Sequence, residues 1–152
     1  MRSFKVRPAT IEDLDNCIWF DRQESILPAH DERHRQMVEA RIFTGDIMVA
    51  EGDGGELAGY LRMDHLWPMM MPTLGWVYVK PDWRESGIMA GLFQGVIDAL
   101  IERGHRRYMM STQSNRQNVM DLFRAMGMKE CGRLAVHGAK ADVAEVFFMG
   151  EI

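Results

Sequence analysis

The most informative stretch of this chain is residues 77–93, VYVKPDWRESGIMAGLF. The segment has the pattern of a β-strand, then a short polar turn with arginine and glycine, then an amphipathic helix. A junction of this kind directs backbone N–H groups and the N-terminus of a helix at one point, which suits a phosphate or pyrophosphate group. The sequence therefore predicts a site for a nucleotide-like cofactor at this turn.

Length and composition set the class of protein. The chain has 152 residues, and we expect a single domain over residues 1–152. Hydrophobic residues make up 47% of it and charged residues 26%, so the chain can bury a core and is not expected to be disordered. The net charge of -4 and the lack of a long basic run argue against nucleic acid as a partner and weakly favour cationic partners such as amines.

The sequence has no feature typical of a membrane or secreted protein. No apolar run reaches the ~18 residues that a membrane-spanning helix needs, and the N-terminal segment lacks the apolar core of a signal peptide. Cys17 and Cys131 lack the spacing of metal ligands, and so do the histidines, which predicts free thiols in a reducing compartment and no metal site. We therefore expect a cytoplasmic protein that does not bind a membrane.

The apolar and turn residues predict eleven elements in the order β, α, α, β, β, β, α, β, α, β, β. The strand–helix–strand segment near residues 73–112 predicts a parallel crossover, and the strand pairs before and after it predict antiparallel neighbours. The predicted strands are 3–8, 46–51, 56–66, 73–80, 107–112, 128–136 and 145–151, and the predicted helices are 10–21, 31–43, 87–103 and 115–126.

Helical spacing also predicts which side chains are buried. The helix over residues 87–103 has the clearest apolar stripe, and Gly104 is a natural stop for it. Thr10 is the predicted cap of the first helix. The side chains of the first and last helices that are expected to face the core are Ile11, Leu14, Ile18, Trp19, Val119, Leu122, Phe123 and Met126.

Three segments, taken with the order of elements, point to one family. Residues 6–14, VRPATIEDL, form a strand and a helix start; residues 84–89, RESGIM, precede the central helix; residues 115–128 run from an asparagine to Gly-Met. They resemble the opening, the acetyl-CoA loop R/Q-x-x-G-x-G/A and the later N…G-F block of the GNAT superfamily of acyl-CoA-dependent N-acetyltransferases. The resemblance implies a mixed α/β, mostly antiparallel, twisted sheet of about seven strands, with helices on both faces and a splayed central strand pair.

The resemblance also implies a co-substrate, acetyl-CoA, and an amine acceptor. Backbone amides of the loop would bind the diphosphate, and the preceding strand would pair with the pantetheine arm as if with an added strand. Asn115 would either hydrogen-bond the pantetheine or cap the following helix. The residues implied to contact acetyl-CoA are Val77, Tyr78, Val79, Arg84, Glu85, Ser86, Gly87, Ile88, Met89, Asn115 and Phe123.

Two residues depart from the family pattern. Met89 stands where the family prefers glycine or alanine, and its side chain would either crowd the diphosphate or point into the core. Phe123 stands where many members carry a tyrosine that protonates the leaving thiolate, and phenylalanine has no proton to give. Tyr78 and Tyr108 are alternative acids, although both also suit a packing role.

The candidate general bases come from two segments. Asp64 and His65 end the third strand, close to where the acceptor is expected, and Glu24 lies in the loop between the first two helices, which usually walls the acceptor site. Histidine has an unperturbed pKa suited to proton transfer near neutral pH. Each of the three residues also fits an ordinary solvated role.

Residues 67–72, WPMMMP, form an unusual apolar loop. Because methionine adapts to varied apolar shapes, this loop would line an acceptor pocket, form a homodimer contact or fold onto the core. The sequence thus leaves three functions open: an N-acetyltransferase, an acyl-CoA-binding sensor that no longer catalyses, and an interaction protein that uses the methionine loop.

Overall fold

The computed structural model describes residues 2–23, 32–66, 70–135 and 142–152 of the chain. Their helices and strands follow the predicted order, and the predicted boundaries at residues 31 and 136 lie outside the described residues. Two single-turn 3-10 helices cover Ile11–Asp13 and Pro81–Trp83. The elements are β1 (Phe4–Pro8), α1 (Leu14–Arg22), α2 (Glu32–Phe43), β2 (Ile47–Gly52), β3 (Leu57–Leu66), β4 (Met71–Val79), α3 (Ile88–Glu102), β5 (Arg107–Gln113), α4 (Gln117–Ala125), β6 (Lys129–Ala135) and β7 (Ala144–Glu151).

The strands form one open sheet in the order β1-β2-β3-β4-β5-β7-β6. The pairs β1–β2, β2–β3, β5–β7 and β6–β7 are antiparallel, whereas β4 and β5 are parallel. The register of the parallel pair covers Thr73 with Met109 and Leu74 with Met110, and β4 runs on to Val79. The predicted mixed, mostly antiparallel α/β fold is therefore confirmed.

The chain divides into two compact units. Unit 1 comprises Met1–Met63 and Trp76–Leu100, and unit 2 comprises Asp64–Gly75 and Ile101–Ile152. In unit 1, α1, α2, β2 and β3 contribute side chains to one apolar core. In unit 2, the rings of Phe123 and Phe148 meet edge to face at 5.4 Å.

The first helix begins where the sequence predicts, at Thr10. Oδ2 of Asp13 accepts a hydrogen bond from the Thr10 amide at 2.8 Å and lies 2.7 Å from the Arg7 guanidinium. Burial alone would raise the pKa of Asp13, but the Arg7 and Thr10 donors outweigh it and hold that pKa below its usual value. The carboxylate thus caps the turn while remaining charged.

One buried carboxylate joins three elements of unit 1. Asp21 of α1 is 5% exposed; it accepts hydrogen bonds from the Tyr60 hydroxyl of β3 at 2.7 Å and from the Arg62 guanidinium of the same strand. Its other oxygen lies 2.6 Å from Nε2 of His34 in α2. Burial raises the pKa of Tyr60 well above its usual value, so its hydroxyl stays a donor. A carboxylate this deep is tolerated because three donors replace the lost water.

Four side chains predicted to be buried are exposed instead. In the first helical segment, Ile11 is 52% exposed because it lies in the 3-10 turn before α1, and Trp19 of α1 is 44% exposed although its neighbours Ile18 and Phe20 are buried. In α4 the buried face consists of Met120 and Phe123, so the neighbouring Leu122 points away and is 56% exposed. Met126 follows the last residue of α4 and is 41% exposed.

Two sequence predictions concern compartment and membrane. Cys17 and Cys131 are both free thiols, and burial raises the pKa of Cys17 to about 12. Among the described helices, none is long and apolar enough to cross a bilayer.

Replacing Asp21 with asparagine tests the buried carboxylate. We expect Asp21→Asn to lower the free energy of unfolding by about 3–5 kcal/mol, because it removes the negative charge that the Arg62 guanidinium meets in the core. The matched control is Asp15→Asn, which breaks a 2.9 Å pair with Arg35 whose Asp15 side chain is 86% exposed, and which we expect to lose less than about 1 kcal/mol. Urea unfolding measures both; equal losses would contradict the prediction.

Candidate active site

The turn after β4 is held by its own backbone. Pro81 begins the 3-10 turn, and the amides of Trp83 and Arg84 donate to the carbonyl oxygens of Lys80 and Pro81 at 2.9 and 3.1 Å. The carbonyl of Trp83 then accepts from the Ser86 amide at 3.3 Å and from the Ser86 hydroxyl at 2.5 Å. These bonds reverse the chain between β4 and α3 within a few residues.

Two residues of this turn have left-handed backbones. Glu85 has a φ of 70° and Gly87 has a φ of 86°. Glycine adopts this conformation freely, whereas a residue with a Cβ loses about 1–2 kcal/mol. Left-handed residues alternating with ordinary ones turn backbone N–H groups toward one side, an arrangement called a nest that binds anions. The turn therefore has a backbone suited to an anion.

The N-terminus of α3 lies directly after this turn. The helix begins at Ile88, and its first amides lack acceptors within the helix, so this end carries partial positive charge. Ile88 and Leu92 are 1% and 0% exposed. They approach β3 at Gly59, where an added Cβ would lie 2.7 Å from Cγ2 of Ile88. Because Gly59 has no side chain, α3 packs closely and its first turn is fixed in place.

The side chains around the turn are mostly exposed. Arg84 and Glu85 both face solvent, and Nε of Arg84 lies 3.5 Å from the carbonyl oxygen of Val79. Met89 is 53% exposed, so of the two orientations that the sequence leaves open, the one into the core is wrong. Its thioether stands in solvent on the first turn of α3, since the buried stripe of that helix runs through Ile88 and Leu92.

The candidate acid Tyr78 lies in an aromatic cluster of unit 1. Its ring is 5.9 Å from Trp19 and 5.8 Å from Phe20, and it packs half-buried against the core. Nζ of Lys80 lies 5.8 Å from the rings of both Trp19 and Phe20. The packing role of Tyr78 is thus evident, while its catalytic role stays a prediction, as do the contacts of Val77 and Val79 with acetyl-CoA.

The candidate bases fall in different parts of the chain. Asp64 and His65 are half-buried at the end of β3 in unit 2, where the ring of His65 lies 6.4 Å from that of His105. Glu24 lies outside the described residues, and so do residues 67–69 of the methionine loop. Met70 of that loop is described and is 54% exposed. The structure therefore brings the rings of His65 and His105 into one neighbourhood of unit 2.

The surroundings of three further candidate site residues in unit 2 bear on their proposed roles. Phe123 is 5% exposed against Phe148, which accounts for its place in the core. Tyr108 is 6% exposed, and burial raises its pKa, which makes it a poorer proton donor. Asn115 is exposed and does not cap α4, because the cap position is Arg116 and no side-chain bond is made there. The capping role considered for Asn115 is therefore wrong.

Sequence reasoning missed the residue that anchors the turn. Trp83 is 7% exposed, and a Cβ added to Gly52 would lie 2.7 Å from Cη2 of the indole, so the ring fits only because residue 52 is glycine. A large aromatic residue within a polar turn is the available signal. Within residues 2–23, 32–66, 70–135 and 142–152, no three histidine, cysteine or acidic side chains meet in a way that could hold a metal ion.

Comparisons with known proteins bear on the family and the fold. The family model described as the acetyltransferase (GNAT) family matches residues 10–128. A ribosomal-protein-alanine N-acetyltransferase from Brucella melitensis is similar with a TM-score of 0.78 and 23% identity, over 97% of this chain and 99% of that chain. An N-acetyltransferase from Staphylococcus aureus Mu50 is similar with a TM-score of 0.75 and 21% identity, over 98% of both chains.

A more distant structure has the same fold. Ard1 from Thermoplasma volcanium is similar with a TM-score of 0.76 and 11% identity, over 98% of this chain and 97% of that chain. At these identities the likeness to solved structures establishes the fold. No curated protein matches the sequence closely enough to serve as a relative.

A pair of glycine replacements tests the left-handed turn. An added Cβ meets nothing within 4 Å at Gly87 or at Gly132 of β6, but only Gly87 has a positive φ. We expect Gly87→Ala to lower the free energy of unfolding by about 1 kcal/mol, because alanine disfavours that φ, and Gly132→Ala to be near neutral. Chemical denaturation measures both, and equal effects would show that the backbone at position 87 is not constrained.

Proposed function

Because this chain belongs to the acetyltransferase (GNAT) family, we propose that it transfers an acetyl group from acetyl-CoA to an amine by direct attack in a ternary complex. One observation carries the proposal. The turn before α3 combines two left-handed residues with a helix N-terminus that close packing on Gly59 holds in place. Such a turn suits a diphosphate, because backbone amides and a helix N-terminus favour phosphate oxygens.

The groups that would hold acetyl-CoA are mainly backbone groups. Amides from Glu85 to Met89 would bind the diphosphate, and Arg84 would add a positive charge at its edge. Val77 and Val79 would offer backbone N–H and C=O groups to the pantetheine arm, which would pair with them as an added strand does. The register of β4 with β5 ends at Leu74, before these residues. The carboxylate of Glu85 opposes the diphosphate and would weaken binding.

The reaction then needs a neutral amine. Its nitrogen attacks the thioester carbon, the C–S bond breaks, and the thiolate leaves as CoA, while the amine proton passes to a base or to water. An α-amine with a pKa near 8 is about 10% neutral at pH 7, whereas a lysine amine is about 0.04% neutral. Asp64, His65 and Glu24 are the bases we propose. Because an α-amine needs less help from a base to lose its proton, we favour an α-amine as the acceptor.

The lack of a tyrosine at position 123 does not rule out this chemistry. A thiol has a pKa near 8.5, so its thiolate is an acceptable leaving group at about neutral pH even without a dedicated acid. Tyr78 is the acid we propose where one is needed. The Brucella melitensis neighbour is itself named for alanine in a ribosomal protein, which is consistent with an α-amine here.

A second function is favoured by two particular residues. Phe123 removes the usual acid, and Met89 places a thioether beside the diphosphate turn. Both changes would suit an acyl-CoA-binding sensor that does not catalyse. Such a protein would bind acetyl-CoA and release no CoA with any amine.

Acetyl-CoA binding and turnover separate these functions. We expect calorimetry to show one acetyl-CoA site per chain with micromolar affinity, and a thiol-release assay to show faster turnover with peptides offering a free α-amine than with N-blocked peptides offering only lysine. Binding without release of CoA across the amine panel would favour the sensor. The absence of heat at high micromolar acetyl-CoA would contradict both functions.

Replacing Glu85 with glutamine tests where the diphosphate lies. We expect Glu85→Gln to tighten acetyl-CoA binding about two- to threefold, because it removes a negative charge beside the bound anion, and the gain should shrink at high salt. Glu102→Gln removes the same charge at the opposite end of α3 and serves as the control. Equal affinities for the two variants would place the diphosphate away from this turn.

The base is tested with the two neighbouring imidazoles. We expect His65→Gln to lower kcat about 100-fold or more and to remove the acidic limb of the pH–rate profile, because proton transfer to a positioned base contributes that much. His105→Gln removes the adjacent ring and should keep both kcat and the profile. An unchanged profile in His65→Gln would assign the role to Asp64 or Glu24, which Asp64→Asn and Glu24→Gln then distinguish.

A further inference from the structure

A contact far from the turn in sequence holds the start of the diphosphate loop. The guanidinium of Arg2, which precedes β1, lies 5.0 Å from the centroid of the Trp83 ring. Its Nη1 also donates a hydrogen bond of 3.0 Å to the carbonyl oxygen of Asp82, eighty positions away in the chain. A guanidinium is planar and presents donors at its rim, so it can stack on an indole and hydrogen-bond a carbonyl at the same time.

The Trp83 ring, which Arg2 contacts, is the buried side chain that fixes the turn. Asp82 and Arg84 on either side of it are exposed, whereas Trp83 is 7% exposed. Its indole also packs against Gly52, where no Cβ would fit. Arg2 and the β2–β3 hairpin together therefore confine the ring, and the backbone of the turn follows the ring.

Hydrogen bonds couple the position of Trp83 directly to the amides that would bind the diphosphate. Its carbonyl accepts both the amide and the hydroxyl of Ser86. Ser86 lies between Glu85 and Gly87, the two left-handed residues of the turn. A shift of Trp83 would therefore redirect the amides of the nest, even though Arg2 belongs to a different segment.

We propose that Arg2 is a positioning residue for the acyl-CoA loop, acting through Trp83 and Asp82 to preorganise the amides of residues 85–89. The inference rests on the proposed function, because it assigns acetyl-CoA as the ligand of those amides. Without Arg2 the loop keeps its turn but samples more conformations, and ordering them again weakens binding. Acetyl-CoA affinity should therefore depend on a side chain that stacks on the loop from the N-terminal segment.

The experiment compares Arg2→Ala, Arg2→Lys and the control Arg106→Ala, which removes an exposed arginine beside β5. Calorimetry should show a loss of acetyl-CoA affinity of about three- to tenfold for Arg2→Ala, a smaller loss for Arg2→Lys and none for Arg106→Ala. In kinetics the loss should fall on KM for acetyl-CoA rather than on kcat. Thermal unfolding confirms that each variant is folded.

A second readout does not need any ligand. Hydrogen exchange of the backbone amides over residues 81–92, measured without acetyl-CoA, should be faster in Arg2→Ala than in the wild type and unchanged in Arg106→Ala. The salt dependence of acetyl-CoA binding should have the same slope in Arg2→Ala and the wild type, because a positioning residue makes no ion pair with the ligand.

The outcomes separate the possible failures. Loss of affinity with a shallower salt slope and unchanged exchange would make Arg2 a direct phosphate ligand and overturn the positioning role. Unchanged affinity and unchanged exchange would overturn any role. If the wild type binds no acetyl-CoA, the proposed function fails, and the exchange data alone then decide whether Arg2 holds the turn.

Discussion

The carboxylate of Asp21 is the constraint on which the arrangement of unit 1 depends. It draws the Tyr60 hydroxyl, the Arg62 guanidinium and the His34 imidazole to one point inside an otherwise apolar core. Apolar packing alone would tolerate several positions of α1 and α2 on β3, because it is not directional. A buried charge with three required donors is directional, so it selects one of those positions.

β3 carries this constraint to the opposite side of the sheet. Neighbouring residues of a strand point to opposite faces. Tyr60 faces α1, and the adjacent Gly59 meets the first turn of α3. One short segment of β3 thus sets both the position of α1, which carries Trp19 of the aromatic cluster around Tyr78, and the position of α3, whose N-terminus follows the left-handed turn. The precision of the turn comes from the core beneath it rather than from its own exposed side chains.

Sequence reasoning recovered what periodicity and turn residues encode. The order of elements, the parallel crossover and the turn before α3 all follow from apolar spacing and from Gly87. The prediction of buried side chains failed at Ile11, which lies in a 3-10 turn and not in an ideal α-helix. It also failed at Met126, because α4 ends at Ala125, one residue before it. Sequence reasoning also could not find the contact of Arg2 with the turn, because side chains eighty residues apart leave no shared pattern in the sequence.

The left-handed backbone at Glu85 has a consequence for how this loop can vary. Such a position accepts glycine, asparagine or aspartate readily and excludes β-branched residues such as valine and isoleucine. Its side chain is exposed, so packing scarcely restricts the size of a replacement there. The replacements tolerated at this site are therefore limited by the backbone conformation and not by burial. A solvent-facing position can in this way restrict its replacements as strongly as an interior one.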